Sequence, residues 1–318
     1  MIAQKAWWTG WVMTTSLLGR EVASSRTAAR LTRLVHSMSA TTPSASALPP
    51  APWKALFSSH LSQMKSPEFV LGTLDAAPSG APTPFVPRVR YCIHRGFWAE
   101  LPENRHNDAE RNPRVYESDC PVLTTDVRME KVGQIFQTSA GHAQSREQVL
   151  GSGGGGPVEA VYWNADVATQ WRVKGRAFVV ADDIEGDGEE SSGVRTVKSE
   201  VGKRMRVVDE GRQGEFSWKR EIKGFFGNQS PGIKGSFKNP PPGQPTSKAY
   251  DDKSLGLGSK VDDLDDPVAR KHFRLVVIVP ESVEQTDLSN PDKARRYRYT
   301  FDESAKANAG WRTEELWP

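Results

Sequence analysis

The residues best able to do chemistry in this chain are cations set beside hydroxyls. In "RYCIHRGFW", residues 90–98, Arg90 and Arg95 stand near the start and end of a strand that reads as having one apolar face, made by Tyr91, Ile93 and Phe97. A buried guanidinium without a partner is costly, so the pair asks for an anion. Further on, in "LTTDVRMEKV", come Thr124, Thr125 and Asp126, then Arg128 and Lys131 on the first turns of a helix. A helix start presents free amides and a partial positive charge. With two hydroxyls and several cations beside it, this is a candidate phosphate pocket. Gln170 opens a strand that Gly175 ends, in "QWRVKG". An amide there can both donate to and accept from the edge of a flat heterocycle. Each feature has an ordinary use by itself, as an edge charge or a helix cap; their order and spacing give them weight together.

Those residues need elements to hold them. After Pro49, Pro50 and Pro52, "WKALFSSHLSQM" places Trp53, Leu56, Phe57 and Leu61 at helical spacing. "FVLGTLDAAPSGAPTPFVP" reads as strand, turn, strand, punctuated by Gly72, Pro78 and Gly80. "PVLTTDVRMEKVGQIFQ" begins extended and becomes a helix, with Thr125 or Asp126 as N-cap and Val132, Ile135 and Phe136 as its buried stripe. "VEAVYWNADVATQWRVKGRAFVV" reads as two strands joined at Asn164–Asp166, and later strands fall at "FRLVVIVP", "RRYRYTF" and "GWRTEELWP". Many strands with few helices predict a mainly β (α+β) fold, a barrel with helical cover. Three stretches, near 138–157, 182–195 and 238–267, read as inserts, and "GSGGGG" at 151–156 as a flexible connector.

Composition narrows the classes. The 318 residues suffice for one large domain or two small ones, and ten Trp with 37% hydrophobic residues support a packed core. A formal charge of +3 is too mild to announce a nucleic-acid partner, and no basic stripe is interleaved with the aromatics. No apolar run is long enough to span a membrane. Two cysteines, Cys92 and Cys120, make neither a disulfide framework nor a zinc site, which fits a reduced intracellular compartment. The glycine run lacks the Lys-Ser/Thr ending of a nucleotide loop, and no Ser, His and Asp set has hydrolase spacing. His94 reads as a packed strand histidine and Cys92 as a small buried hydrophobe. Residues 1–48 are Arg-, Ser- and Ala-rich with a single acid, Glu21. They read either as a transit peptide, giving a mitochondrial location, or as a disordered leader on a cytoplasmic protein, with Met38 as an alternative start.

In their order along the chain these motifs resemble the pyridoxamine 5'-phosphate oxidase-like, FMN-binding split-barrel family. The resemblance covers roughly residues 50–318 apart from the inserts. It rests on "RYCIHR", on "LTTDVRMEKV", on Gln170 and Gly175, on Arg296 and Tyr297 in "ARRYRYTF", and on the ending "WRTEELWP". It implies a split β-barrel binding FMN at a homodimer interface. The cofactor residues it implies are Arg90, Arg95, Thr124, Thr125, Arg128, Lys131, Gln170 and Arg296, with the phosphate near Arg90, Arg95 and Lys131 and the ring near Gln170. Departures separate the chain from the true pyridoxamine phosphate oxidases. Thr286 stands near their Trp, Asp292 near their substrate-holding Arg, and Glu130 occupies one usually cationic place, for which Arg128 can compensate. The stretch "FFGNQSPGIKGSFKNPPPGQP" resembles a branch of unknown substrate, with Lys234 in place of an Arg. The expectation is therefore an FMN-dependent oxidoreductase of unknown substrate and unassigned catalytic residues, with no metal. A non-catalytic flavin-binding protein, or a true pyridoxamine phosphate oxidase, are the alternatives.

Overall fold

The computed structural model describes residues 49–140, 149–186, 188–305 and 309–318, all within a unit spanning 45–318. The expected leader, 1–48, lies outside the described residues, as does part of the expected insert near 138–157. The first helix, α1 (Lys54–Gln63), precedes the hairpin β1 (Glu68–Ala76) and β2 (Phe85–Ile93). A short β3 (Tyr116–Ser118), β4 (Val122–Asp126) and α2 (Glu130–Gln137) follow. Next comes a long hairpin, β5 (Gly153–Asn164) and β6 (Thr169–Val180), turning where the sequence predicts. Beyond it are α3 (Ser192–Gly202), β7 (Met205–Val207), α4 (Trp218–Gly227), α5 (Pro231–Ser236) and α6 (Pro267–His272). The chain ends with β8 (Phe273–Asp287), β9 (Arg295–Phe301) and β10 (Trp311–Leu316). Among the described residues no helix is long and apolar enough to cross a membrane.

The main sheet runs β10-β9-β8-β6-β5-β1-β2, and β4 pairs with β8. Two hydrogen bonds close it into a barrel: Arg95 N to Val122 O at 2.8 Å and Val122 N to Gly96 O at 2.9 Å. The circuit is β1-β2-β4-β8-β6-β5, and β9 and β10 extend from the far half of β8, which is the split of a split barrel.

The run "FRLVVIVP" becomes a strand because both of its faces are covered. Val276 and Ile278 enter the core cluster with Trp53, Phe57, Tyr162, Trp171 and Trp311. Leu275, Val277 and Val279 enter a second cluster with Val194, Val197, Ile222 and Phe225 of the helical cover. A strand buried on both sides reads as a continuous apolar run.

Three expectations are corrected. "GSGGGG" is no connector: Gly153–Gly156 open β5 beneath α2. A Cβ at Gly153 would stand 2.7 Å from the Phe136 ring, and one at Gly156 would stand 2.5 Å from the Ile135 carbonyl. The glycines let the helix lie on the strand backbone, and φ values of +92° and +106° at Gly154 and Gly155 accompany a bulge there. Gly175 does not end β6. It sits mid-strand at a register shift, where a Cβ would lie 2.1 Å from the Val279 carbonyl. Neither Thr125 nor Asp126 caps α2; Met129 holds that place without a side-chain bond, because the chain makes an extra turn after β4. The expected insert at 182–195 also runs into α3, whose cap is Ser191. The excursion near 238–267 holds no helix or strand until α6 begins at Pro267.

The two kinds of glycine should part in a stability measurement. Gly175→Ala should cost more than about 2 kcal/mol by forcing β8 away at the bulge. Gly133→Ala, in open space within α2, should gain about 0.5–1 kcal/mol. Urea unfolding of the two variants checks both, and a Gly175→Ala protein as stable as the parent would show that the bulge yields freely.

Candidate functional site

β2 lies at the edge of the sheet, and alternation along it decides which side chains meet the site. Tyr91 is not on the buried face: it and Val89 point outward, 76% and 71% exposed. Arg90 turns inward instead. Its guanidinium donates to Thr73 Oγ1 at 2.5 Å and to Gln134 Oε1 at 2.7 Å, and Thr73 donates to the same Gln134 oxygen at 2.6 Å. Lys131 comes from the first turn of α2 and donates to Thr125 Oγ1 at 3.0 Å. Arg90, Lys131 and half-buried Cys92 are electrostatic neighbours.

The electrostatics of this group are unusual. Burial pushes the Lys131 ammonium below its ordinary value, and Arg90 pushes it the same way. Burial likewise lowers Arg90. Burial raises the Cys92 thiol, although both cations pull it down. Among the described residues neither cation has an ion pair. Glu130 and Asp75 act on Arg90, and Asp126 on Lys131, from a distance, but the side-chain hydrogen bonds that hold these two desolvated like charges run to neutral acceptors. An anion placed between them would relieve both the desolvation and the repulsion. This donor set, two cations with a hydroxyl, fits a phosphate.

The other expected residues are distributed differently. Thr125 is buried in the cluster, while Thr124 is the half-buried residue before it on β4. Arg128 is not brought to the cluster. It grips Asp126 through Nε at 2.9 Å and Nη2 at 2.6 Å, and reaches the Asn239 carbonyl at 3.0 Å, so it ties β4 to the 238–267 excursion. Arg95 leaves the strand direction where β2 meets β4 and lines a separate pocket near α1. Gln170 and Arg296 lie together, on either side of Thr286 in β8. Thr124 pairs with Leu275, eleven residues earlier on β8, about 35 Å of strand. Within one chain Gln170 and Arg296 are therefore remote from the cation cluster. Arg296 also donates to Glu284 at 2.5 Å. His94 is buried against Phe57, Phe97 and Tyr162, and burial pushes it down to about 3. It packs as a neutral ring.

Sequence reading missed Thr73 and Gln134. Gln134 was accessible in principle, being three residues after Lys131 and so on the same helix face. Thr73 was not, because only the β1–β2 register sets it beside Arg90.

Residues 50–181 match the family model of the pyridoxamine 5'-phosphate oxidase, FMN-binding domain. Over those residues the chain is similar to that family. FMN is the cofactor that the family implies. Among solved structures, a pyridoxamine 5'-phosphate oxidase-related, FMN binding protein from Nostoc punctiforme PCC 73102 is 17% identical. It matches at a TM-score of 0.52, over 85% of this chain and 100% of its own. That likeness shows the fold, a split barrel. PhzG from Burkholderia lata 383, solved with tetrahydrophenazine-1-carboxylic acid, is similar at 13% identity and a TM-score of 0.34. Here 88% of this chain and 98% of the other are covered. General Stress Protein 26 from Bacillus anthracis str. Sterne is similar at 9% identity and a TM-score of 0.28, over 72% of this chain and 92% of its own. No curated protein matches the chain.

The strained ammonium makes a prediction for the flavin-free protein. Because folding lowers the Lys131 value, the unfolded chain holds that proton more tightly, and stability should rise with pH through the window between the lowered and the ordinary lysine values. Lys131→Met should flatten that rise and stabilise the flavin-free protein at neutral pH. Denaturant unfolding across an alkaline pH series measures it. A variant less stable at neutral pH, with the alkaline slope intact, would show that the ammonium is not strained.

Proposed function

We propose that the chain binds FMN with its phosphate held by Arg90 and Lys131, and that it is an FMN-dependent oxidoreductase working as a homodimer. The observation that carries the reading is the pair of half-buried cations on β2 and α2, neither with an ion pair among the described residues. When bound, FMN supplies the electron or hydride transfer. The chain supplies the rest: Arg90 and Lys131 bind the anion, Thr125 and Gln134 orient them, and the barrel wall keeps water from their inner side. No acid–base pair stands in the cluster, and flavin redox chemistry does not require one from the protein.

The dimer is supported by two features. Gln170 and Arg296 lie too far along β8 from the cluster for one mononucleotide to touch both in one chain. By register, exposed Tyr91 shares the outer sheet face with Val70, Val161 and Arg172, and exposed Trp163 lies opposite Gln170. A second copy seated on this face would cover the apolar groups and bring its own Gln170 and Arg296 towards the first copy's flavin.

Vitamin B6 phosphate oxidation is disfavoured. Thr286 pairs with Gln170 and Arg296, and Asp292 lies in the turn before β9; a carboxylate there would repel a substrate phosphate. Residues 1–48 are proposed to be a removable leader, with the barrel domain following as 49–318.

The test begins with the chromophore of the purified protein. Mass spectrometry should find FMN rather than FAD, since no glycine fingerprint offers to hold a second phosphate. A charge-assisted bond to phosphate contributes about 1.5–3 kcal/mol, so Arg90→Ala should weaken FMN binding roughly ten- to a hundredfold. Unchanged flavin affinity in a folded Arg90→Ala protein would contradict the assignment. Reduction of the bound flavin by NAD(P)H or a substrate separates an oxidoreductase from a non-catalytic flavin protein. A stable monomer that keeps its flavin would remove the shared site.

A further inference from the structure

Gln134 is an odd residue for the inner face of α2. Its neighbours Val132, Ile135 and Phe136 pack into the barrel, and it is itself 2% exposed. A buried side-chain amide needs partners. Both of its partners lie on the first hairpin, Arg90 on β2 and Thr73 on β1. The three side chains form a closed ring of hydrogen bonds: Arg90 Nη1 to Thr73 Oγ1 at 2.5 Å, Thr73 Oγ1 to Gln134 Oε1 at 2.6 Å, and Arg90 Nη2 to Gln134 Oε1 at 2.7 Å.

The direction of each bond is fixed. A guanidinium only donates, so Thr73 accepts from Arg90 and turns its own proton to Gln134. The amide oxygen then receives two donors, and a flipped amide would set its NH2 against both. Thr73 therefore decides which end of Gln134 meets Arg90. This support differs from that of other arginines in its charge. Arg128 ends on Asp126 and Arg296 on Glu284, so each is neutralised by the group that holds it. Arg90 is aimed by a neutral oxygen and keeps its charge, with Lys131 as an electrostatic neighbour. Glu130 and Asp75 act on it only from a distance.

We infer that Gln134 is the positioning residue that sets the charge of the anion site: its amide aims Arg90 without neutralising it, and Thr73 locks the amide in that orientation. A carboxylate in its place would hold Arg90 equally well and close the site to phosphate. Gln134 acts through Arg90 and needs no contact with the ligand. The inference rests on the FMN reading and names the two residues on which selection of the phosphate depends.

Equilibrium dialysis of the full-length protein against FMN, and against riboflavin, which lacks the phosphate, tests this. The ratio of the two dissociation constants is the readout, because a merely loosened barrel would weaken both ligands together. Gln134→Glu should cut the preference for FMN roughly a hundredfold, the effect of one unit charge about 6 Å from another at a dielectric constant of about 20. Riboflavin affinity should stay at the parent level. Gln134→Met loses the acceptor but adds no charge, and should cut the preference less. If residue 134 served only packing, glutamate, with the closer shape, would be the milder change. Thr73→Val should lower the preference roughly three- to tenfold, and Thr73→Ser should restore it. A parent that binds FMN no better than riboflavin, or whose preference survives Arg90→Ala, overturns the FMN reading and this inference with it. A preference lost in Arg90→Ala but kept in Gln134→Glu, or lowered more by methionine than by glutamate, overturns the inference alone. If Gln134→Glu does not fold, the Thr73 pair decides, and a preference unchanged in Thr73→Val refutes the lock.

Discussion

The contact between α2 and the opening of β5 sets the geometry on which the candidate site depends. The strand begins with glycines that no side chain can replace without striking Phe136, Ile135 or Thr138. Because those Cβ atoms are missing, the helix rests directly on strand backbone. With its apolar stripe, Val132, Ile135 and Phe136, turned into the barrel, the helix has one orientation open to it, and that orientation carries Lys131 and Gln134 over the inner side of β2. Arg90 is then met by an amide oxygen and by a second cation. A helix standing further off would leave both cations solvated and weakly placed.

Such a cluster trades stability for binding. Two neighbouring cations lowered by burial oppose folding, and neutral acceptors only partly offset the lost hydration. The chain could have used a carboxylate here, as it does at Arg128 with Asp126, or at Arg206 with Asp119. In the proposed reading, the two cations without an ion pair among the described residues are the ones that take the external anion. Arg128 shows the converse. It has the residue type and the position of a phosphate ligand, yet its bonds are spent on joining β4 to the excursion.

The barrel that holds these groups is organised around β8. It pairs with β6 along most of its length, with β4 on its first half and with β9 on its second. The bulge at Gly175 lets β6 follow the change of direction. The same geometry parts the cation cluster from Gln170 and Arg296, and so makes a second copy relevant to the proposed flavin site. On the opposite side of the closure between β2 and β4, Arg95 is left facing a pocket of its own.

Much of this was legible in the sequence. The apolar stripe of α2, the two hairpins and the run "FRLVVIVP" follow from side-chain periodicity and turn residues, which act over a few neighbours; in α1 the expected stripe holds at Phe57 but not at Leu56, which is exposed. So did the candidate anion site at Arg90, Thr125 and Lys131, since residue type and spacing along one strand and one helix start were enough to raise it. The helices α3 and α4 were readable too, from Val194, Val197 and Val201 and from the Ser217 cap, but acidic and polar residues around them masked the pattern. Tertiary structure decided the rest. Whether a glycine run is a tether or a strand depends on what lies above it, here Phe136. Whether Arg90, Arg95 or Arg128 is free depends on partners tens of residues away: Gln134, the pocket near α1, Asn239. Which face of β2 is buried depends on its place at the sheet edge, and alternation then sends Tyr91 out and Arg90 in. Local sequence determined the elements and the inventory of charges; long-range packing alone determined which charges were left without a partner.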